Sequence, residues 1–405
     1  MSERRAGTRP ALPAVRAGAV LKTPVGYDSA FMSQQSHYHP MKDLSVGVLD
    51  GETPYERGRA HGEQFAAAIE ENVDTYLDRF AHNGVDEATA REHATRFVPI
   101  IEDANEGYAE GMHGVAEGSD LPLEAVALIN VRYEILFSAF AEQTADAPGG
   151  EADGCTAFGV QGEATADGKP YVGQNWDWIP EVNTFLMDLR RPEKPNALAL
   201  TEAGLVGGKF GLNEHGIGYV VNGLVSAEDG DDPYRTPSHV AHLDLLDATR
   251  LGEAIGVIVT GDSPCSGNVL LGHPAGEMID IESTPEESFY LYPDDGVLTH
   301  ANHFESGQNR GSFEQLATHS LCRGPRMQRL LEREVGEIDV GTLKDTLRDH
   351  FNEPSSICSH VDPELPDHEI GHTNASVIMD LQDRRLLLTE GPPCESEYEE
   401  FHVAT

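Results

Sequence analysis

The first part of the chain carries apolar residues at helical spacing. Between Thr53-Pro54 and Asn83-Gly84, large apolar side chains recur every three or four residues, as on one face of a helix. These side chains are Phe65, Ile69, Val73, Tyr76, Leu77 and Phe80. A proline in the first turn and a glycine after the last turn are typical helix boundaries. We therefore predict a helix over this stretch.

The helical pattern continues beyond this first helix. We predict a second helix from about Asp86 to Gly111 and a third after Ser119-Asp120, which carries Pro122 near its start and runs through Leu136. Residues 141–153 are small, polar and rich in glycine, and they show no periodicity. We predict that this stretch is a loop.

After Cys155 the pattern becomes strand-like. Residues 156–160 and 171–176 flank the turn signal Ala166-Asp167-Gly168, so a hairpin is predicted to begin at Cys155. Further strands are predicted at residues 186–189, 197–201, 218–221, 268–271 and 278–281. Helices are predicted at residues 239–250 and 325–333. Residues 376–379 and 385–389 are predicted to form a closing hairpin about Asp383. Strands and helices in blocks, without regular βαβ alternation, predict an α+β protein.

The chain is strongly acidic along its length. It has 405 residues, 28 Lys and Arg against 69 Asp and Glu, and a formal net charge of −41. Such a field repels nucleic acid and anionic membranes, so we expect neither as a partner. The screening length falls from about 10 Å at 0.1 M salt to about 3 Å at 1 M, so molar salt relieves the self-repulsion. We interpret the protein as halophilic.

Charge and cysteine content also bear on the chain ends and on location. Residues 1–42 are basic, unlike the rest, and we predict either a disordered extension or a start placed too early, with Met41 as the true start. Five cysteines at scattered positions, with no CxxC pair, indicate reduced thiols. Reduced thiols fit a cytosol best, so we predict a cytoplasmic protein. No run of about 18 apolar residues is present, so we predict no membrane-spanning segment.

Two histidine pairs and a glycine-rich segment could suggest a ligand site. His239-x-x-His242 and His300-x-x-His303 have no Cys or Glu partners at recognised metal-site separations. The segment from Gly204 to Lys209 lacks the Ser or Thr of a phosphate loop. We interpret these residues as structural, and we predict no metal and no cofactor.

Cys155 stands at the junction of the predicted loop and the first strand. If the peptide bond after Gly154 were cut, Cys155 would carry a free α-amino group beside its thiol. The usual pKa of an α-amino group is about 7.7 to 8.0 and that of a thiol about 8.5, so the amine can serve as the base for its own side chain. Taken alone, however, a cysteine before a strand is more often a small buried apolar residue.

Several motifs occur in an order that points to one family. After the predicted loop they are Gly154-Cys155-Thr156-Ala157, Gln174-Asn175-Trp176-Asp177, Thr201-Glu202-Ala203-Gly204, Gly211-Leu212-Asn213, Gly216, Asn222-Gly223-Leu224, Pro237-Ser238-His239, His300-Ala301-Asn302-His303 and Arg323-x-x-Arg326-Met327. Before it they are Gly58-x-x-His61-Gly62 and Gly114-Val115-Ala116-Glu117-Gly118. From about Asp50 onward, the chain resembles the acyl-coenzyme A:6-aminopenicillanic acid acyltransferase family of N-terminal nucleophile hydrolases.

The resemblance implies a four-layer αββα fold and cleavage into two chains. Residues 43–154 would form a helical α chain or pro segment and residues 155–405 the catalytic β chain, and the two would stay associated. Cleavage would occur between Gly154 and Cys155.

The resemblance also assigns roles to individual residues. Cys155 would be the nucleophile and, through its amine, the general base, while Asp177 would orient that amine. Asn222 would help form the oxyanion hole. Arg323 resembles the site arginine of the family, and Arg326, three residues on, remains the alternative. Asn175 would be a supporting residue.

The expected function is that of a cysteine N-terminal nucleophile amidohydrolase or acyltransferase. Its expected substrates are small-molecule N-acyl amides, small peptides or acyl thioesters. Two alternatives stay open: a choloylglycine-type or ceramidase-type amidase on the same fold, and an uncleaved homologue that binds a ligand without catalysis.

Overall fold

The computed structural model describes residues 44–136, 154–306, 318–366 and 371–405. The first helix begins and ends where the sequence predicts. Helix α1 (Pro54–His82) starts with a capping box, in which the Thr53 hydroxyl accepts from the Glu56 backbone and the Glu56 carboxylate accepts from the Thr53 backbone. Asn83 ends the helix, and Gly84 follows at φ 83°.

The predicted second helix is wrong in its extent. The structure divides it into α2 (Glu87–Ala104) and α3 (Glu106–Ser119), because Asn105 is extended and its side chain accepts from the Tyr108 backbone as an N-cap. The third helix is interrupted within its predicted range, since α4 (Leu123–Asn130) ends before Val131 and residues 132–136 are helical again. The predicted loop at 141–153 lies outside the described residues.

The strands form two sheets. One has eight strands in the order β1 (Val46–Asp50), β4 (Thr184–Arg190), β5 (Ala197–Glu202), β6 (Phe210–Asn213), β7 (Gly218–Gly223), β8 (Gly267–Gly272), β9 (Met278–Ser283) and β10 (Ser288–Leu291). The other has six, in the order β11 (Val297–His300), β2 (Thr156–Val160), β3 (Tyr171–Trp178), β12 (His372–Asp380), β13 (Arg385–Glu390) and β14 (Glu399–His402). Neighbouring strands are antiparallel except β1 and β4.

The two sheets pack face to face, with helices on both outer surfaces. Strands β2 and β3 lie against β7 and β8, and the buried apolar residues between the sheets continue into α1 to α4. Helices α5 (Ser238–Asp247) and α6 (Leu251–Val259) cover the outer face of the eight-stranded sheet. Helices α7 (Ser320–Glu332) and α8 (Val340–Leu347) cover the outer face of the six-stranded sheet. This arrangement confirms the α+β class and the four αββα layers.

The predicted hairpins are confirmed by their pairing. Strand β2 pairs with β3, and β12 with β13, in antiparallel register. The sequence analysis missed strands β1, β6, β10, β11 and β14 and helices α6 and α8. The missed strands have only four or five residues each, which is too short for an alternating pattern to stand out. Among the described helices, none is both long and apolar enough to cross a membrane.

Glycines allow helices α1 and α3 to approach each other closely. A Cβ atom added to Gly58 would overlap the carbonyl oxygen of Gly111, and one added to Gly114 would overlap that of Tyr55. The two glycine motifs that precede the predicted cut therefore lie at one helix–helix contact, where the backbones touch.

We expect Gly114→Ala to destabilise the fold. The added methyl group would force α1 and α3 apart, and overpacking of this kind costs about 1–3 kcal/mol or more of the free energy of unfolding. Denaturant unfolding in molar KCl would measure the change.

Gly256→Ala in α6 is a matched control for this prediction. A Cβ added at Gly256 meets no described atom within 4 Å, and alanine favours a helix over glycine by about 1 kcal/mol. We therefore expect it to be neutral or stabilising. Equal losses in the two variants would contradict the close-contact explanation.

Candidate active site

Cys155 lies at the start of β2 with its side chain between the two sheets. The residue is buried, with 2% of its surface exposed, and it lines a cavity together with Trp176 and Asn222. The Cys155 Sγ lies 3.7 Å from the backbone oxygen of Asp177. Cys155 therefore lies at the wall of this cavity.

The Asp177 carboxylate lies directly against Gly154. A Cβ atom built on Gly154 would be only 2.7 Å from Asp177 Oδ2, so a larger residue would displace the carboxylate. The other carboxylate oxygen accepts a 2.6 Å hydrogen bond from the hydroxyl of Thr373, the neighbour of Asp177 on strand β12. Asp177 is therefore held at the peptide that joins Gly154 to Cys155.

Arg323 reaches the same peptide from helix α7. Its Nη1 donates to the carbonyl oxygen of Gly154, to that of Cys155 at 2.7 Å and to the Thr156 hydroxyl at 2.7 Å. The guanidinium is buried, with 1% of the residue exposed. A desolvated cation thus contacts the carbonyl of the bond that is predicted to be cut.

The other nitrogens of Arg323 have fixed partners. Nη2 donates to Asn302 Oδ1 at 2.9 Å, and Nε donates to His319 Nδ1 at 3.2 Å. Burial and the neighbouring Arg323 charge lower the pKa of His319 to about 3, so its ring is neutral and can accept this hydrogen bond. These contacts hold the guanidinium in one orientation.

Asn302 belongs to one of the sequence motifs, but no role was assigned to it from the sequence. In addition to accepting from Arg323, it donates from Nδ2 to the carbonyl oxygen of Gly223 at 3.0 Å. Gly223 follows Asn222 at the end of β7. Asn302 therefore connects Arg323 of helix α7 with the end of β7, the strand that carries Asn222.

Asn222 presents a buried amide to the cavity that Cys155 lines. Its Oδ1 accepts from Asn268 Nδ2 at 3.2 Å, which directs the opposite side of the amide away from Asn268. Asn222 Nδ2 has no hydrogen-bond partner among the described residues. A buried donor without a partner is costly, and a ligand oxygen in the cavity would satisfy it.

Arg326 and Asn175 do not reach this group. Arg326 forms an ion pair with Asp349 at 2.7 Å, and its guanidinium lies 5.1 Å from the centre of the Phe351 ring. Asn175 donates from Nδ2 to the carbonyl oxygens of Leu347 and Ile357 at 2.8 and 2.7 Å. Both side chains hold the segment after α8.

The cavity has the volume of a small-molecule site. It measures about 690 Å³, and its wall includes residues of β7, β8, α5 and α6 as well as Cys155 and Trp176. Its wall combines aromatic, amide and charged groups, including Tyr133, Cys155, Trp176, Lys209, Asn222 and His239. This volume and mixed lining suit an acyl compound with a polar end.

A buried charge network at the cavity wall was not predicted from sequence. Lys209 Nζ lies 3.8 Å from Glu202 Oε1 and 5.1 Å from the centre of the Trp176 ring. Arg132 also pairs with Glu202, and its Nη1 lies 3.1 Å from His239 Nε2. Burial and the two nearby cations lower the pKa of His239, so the ring is neutral. The motif that contains Glu202 offered a signal, but its partners are distant in sequence.

The two histidine pairs occupy structural places. His300 is buried with Glu282 at 2.9 Å, and His303 lies 2.8 Å from the Ser320 hydroxyl. In the part of the chain that the structure describes, neither pair belongs to a group of three or more metal-ligating side chains.

Three solved structures are similar to this chain at low identity. A Caenorhabditis elegans N-acylethanolamine-hydrolyzing acid amidase ortholog has 14% identity and a TM-score of 0.42, covering 56% of this chain and 93% of that one. A conjugated bile acid hydrolase variant from Clostridium perfringens has 15% identity and a TM-score of 0.42, covering 58% of this chain and 89% of that one. Penicillin V acylase from Agrobacterium tumefaciens has 14% identity and a TM-score of 0.42, covering 58% of this chain and 83% of that one.

The family comparison includes the segments that carry three of the candidate site residues. The sequence profile of the acyl-coenzyme A:6-aminopenicillanic acid acyl-transferase family matches residues 164–394, more than half of the chain. This range contains Asp177, Asn222 and Arg323 and begins shortly after Cys155. The predicted relationship is confirmed, and with it a general assignment to enzymes of acyl transfer and amide hydrolysis. The chain belongs to the acyl-coenzyme A:6-aminopenicillanic acid acyl-transferase family.

Proposed function

We propose that the protein is a self-cleaving cysteine N-terminal nucleophile amidohydrolase or acyltransferase, with Cys155 as the nucleophile. One observation carries the proposal. Arg323 and Asp177 both contact the Gly154 to Cys155 junction, while Cys155 lines a cavity. A buried structural cysteine would not need a cation on the preceding carbonyl and a carboxylate against the preceding α carbon.

The first reaction is cleavage of the chain. The Cys155 thiol attacks the carbonyl carbon of Gly154; the C–S bond forms, the C–N bond breaks, and the thiol proton passes to the released amine. Arg323, which contacts the Gly154 oxygen, would stabilise the negative charge that develops there. Water then hydrolyses the thioester, leaving a carboxylate on Gly154 and a free amine and thiol on Cys155.

The new amine then serves as the base for the second reaction. Because the ordinary pKa values of an α-amino group and a thiol are within about one unit, proton transfer between them is nearly thermoneutral. Asp177 lies against Gly154, the residue joined to the nitrogen that becomes the amine, and would orient and stabilise the charged form of that amine. No histidine is required in this scheme.

The substrate carbonyl would be attacked from the cavity. The Cys155 thiolate adds to an amide or thioester carbonyl, and the Asn222 Nδ2 donor stabilises the oxyanion. Collapse releases the amine or thiol and leaves an acyl thioester on Cys155. Water completes hydrolysis, or an amine acceptor completes transfer. A small-molecule N-acyl amide, small peptide or acyl thioester fits a cavity of about 690 Å³.

We further propose that the two pieces remain associated after cleavage. Strand β1 precedes the cut in sequence and pairs with β4, which follows it. Arg132 and Glu202 form a buried ion pair across the same division. Neither contact involves the Gly154 to Cys155 bond, so both can persist when it is broken.

Intact-protein mass spectrometry would test this proposal. Protein purified in molar KCl should give two masses that divide after Gly154, and Cys155→Ala should give one. Cys322→Ala removes an exposed cysteine and is the matched control, which should be cleaved like the wild type.

The outcome also separates the proposal from its alternatives. One uncut chain in both wild type and Cys155→Ala would overturn self-cleavage and favour a ligand-binding protein. If cleavage occurs, assays with N-acyl amino acids of increasing chain length would distinguish a fatty-acyl or bile-type amidase from an enzyme of short acyl groups.

A further inference from the structure

A cluster of four metal-binding side chains lies outside the cavity. His350, Cys358 and His360 follow helix α8, and Cys394 follows strand β13. One ligand atom from each of the four lies within 4.8 Å of the others. Cys358 is buried, while His350 and Cys394 are exposed. The fold thus brings a set of two thiols and two imidazoles to one point.

Four of the six distances within the cluster are close to the edges of a tetrahedron around a metal ion, and the other two, from His350 to the sulfurs, are no longer than 4.8 Å. The two Sγ atoms are 3.5 Å apart and the two Nε2 atoms 3.1 Å apart. His360 Nε2 lies 3.7 Å from the sulfur of Cys358 and 3.4 Å from that of Cys394. With Zn–S bonds of about 2.3 Å and Zn–N bonds of about 2.0 Å, a regular tetrahedron has edges of about 3.3 to 3.8 Å.

A carboxylate stands behind one of the imidazoles. Glu395 Oε1 lies 3.5 Å from His360 Nδ1, on the side of the ring opposite the cluster. Histidine ligands of zinc commonly direct their second nitrogen to a carboxylate, which orients the ring and makes it a better ligand. His360 therefore has the surroundings of a metal ligand on both of its nitrogens.

We propose that His350, Cys358, His360 and Cys394 form a structural zinc site. Two thiolates and two imidazoles in a tetrahedron are a donor set that Zn²⁺ prefers, whereas Mg²⁺ and Ca²⁺ require oxygen ligands. Four protein ligands complete the coordination of zinc and leave no position for substrate, which distinguishes a structural site from a catalytic one.

A disulfide between the two cysteines explains the cluster less well. The sulfur atoms are 3.5 Å apart, against about 2.05 Å in a disulfide. A disulfide would also leave unexplained why His360 Nε2 lies within 3.7 Å of both sulfurs and why His350 Nε2 lies beside it. Metal analysis combined with thiol counting would distinguish an oxidised cysteine pair from a zinc-bound one.

The site would stabilise the loop that supports Asp177. Ser359 lies between two of the ligands, and its backbone N–H donates to the Thr373 hydroxyl at 2.9 Å. That hydroxyl donates in turn to Asp177 Oδ1 at 2.6 Å. A metal that fixes Cys358 and His360 would therefore fix the hydrogen bond on which the position of Asp177 depends.

Metal analysis of the full chain would test the site. Wild-type protein expressed with added zinc and passed through gel filtration should hold about one zinc ion per chain by plasma mass spectrometry. Cys394→Ser should lose it, and Cys322→Ser, which changes the other exposed cysteine, should retain it. Cys155→Ala should also retain it, so the result does not depend on chain cleavage.

Two further measurements keep the test decisive if a ligand variant fails to fold. Cobalt(II) added to chelator-treated wild type should give thiolate charge-transfer and tetrahedral d–d absorption bands, which zinc should abolish. Glu395→Gln should weaken zinc binding by about 10-fold to 100-fold while leaving the four ligands in place.

Several results would overturn the proposal. Wild-type protein without zinc would contradict it, whether its thiols are free or Cys358 and Cys394 form a disulfide. So would zinc that is retained by Cys394→Ser. Cobalt(II) absorption bands that are absent or typical of octahedral coordination would also contradict it.

Discussion

Replacing Arg323 with methionine should leave the chain uncut between Gly154 and Cys155. The variant keeps a side chain of similar length but removes the cation from the Gly154 carbonyl oxygen. Loss of one preorganised donor to a developing oxyanion costs about 10²- to 10³-fold in rate, and a buried cation should cost at least as much. The time course of cleavage, followed by mass spectrometry after synthesis in molar KCl, would measure it.

Arg326→Met provides the matched control for Arg323→Met. Arg326 lies one turn farther along α7 but pairs with Asp349 and does not reach the junction, so this variant should be cleaved normally. Arg323→Lys keeps a positive charge and should restore part of the rate. Because Arg323 is buried, circular dichroism must show that each variant is folded. Cleavage of folded Arg323→Met at the wild-type rate would contradict the assigned role.

Replacing Asn222 with alanine should reduce turnover without preventing chain cleavage. In the proposed scheme, Arg323 would stabilise the Gly154 carbonyl oxygen during cleavage, whereas the Asn222 amide would act on a substrate carbonyl in the cavity. We expect kcat to fall by about 10²- to 10³-fold, or about 2.7–4 kcal/mol of transition-state stabilisation, with KM little changed. Steady-state kinetics on the cleaved enzyme would measure both constants.

Asn222→Asp distinguishes hydrogen bonding from simple space filling. Aspartate has nearly the same shape as asparagine, but an ionised carboxylate donates no hydrogen bond and repels an oxyanion. Its kcat should therefore be as low as that of Asn222→Ala or lower. A raised KM with unchanged kcat in Asn222→Ala would instead mean that Asn222 binds the substrate and the transition state equally.

Much of the fold could be predicted because it is encoded locally. The start of α1 follows from the Thr53 cap and Pro54, and the β2 to β3 hairpin follows from two apolar runs around a turn signal. The prediction erred where one side chain decides the outcome, as at Asn105, whose amide caps a new helix within a continuous helical pattern. Short strands such as β1 are stabilised by pairing with a distant strand, which no local pattern records.

Part of the candidate site could be identified from the order of the sequence motifs, not from local structural patterns. The order of motifs singled out Cys155, Asp177, Asn222 and Arg323, and the structure brings Asp177 and Arg323 to one peptide bond. The same motifs left Arg323 and Arg326 as alternatives, because two residues on one helix cannot be separated until the neighbours of each are known.

The zinc cluster shows the limit of reasoning from spacing. His350, Cys358 and His360 lie near one another in sequence, but Cys394 is distant and no CxxC pair is present, so the sequence analysis predicted no metal. Their convergence requires β12 and β13 to return the chain to the loop after α8. A ligand set assembled in this way has no short motif.

The amino-acid sequence was sufficient for the fold class, the acidic character, the family and the residues on which catalysis is proposed to depend. Periodicity, composition and motif order are properties of the chain itself, so they can be read without coordinates. The packed structure was required to decide three other properties. These are which arginine contacts the Gly154 carbonyl, which amide lines the cavity and which four side chains meet at the proposed zinc site. These properties depend on the direction and distance of side chains far apart in sequence, which are set when the two sheets and their helices pack together.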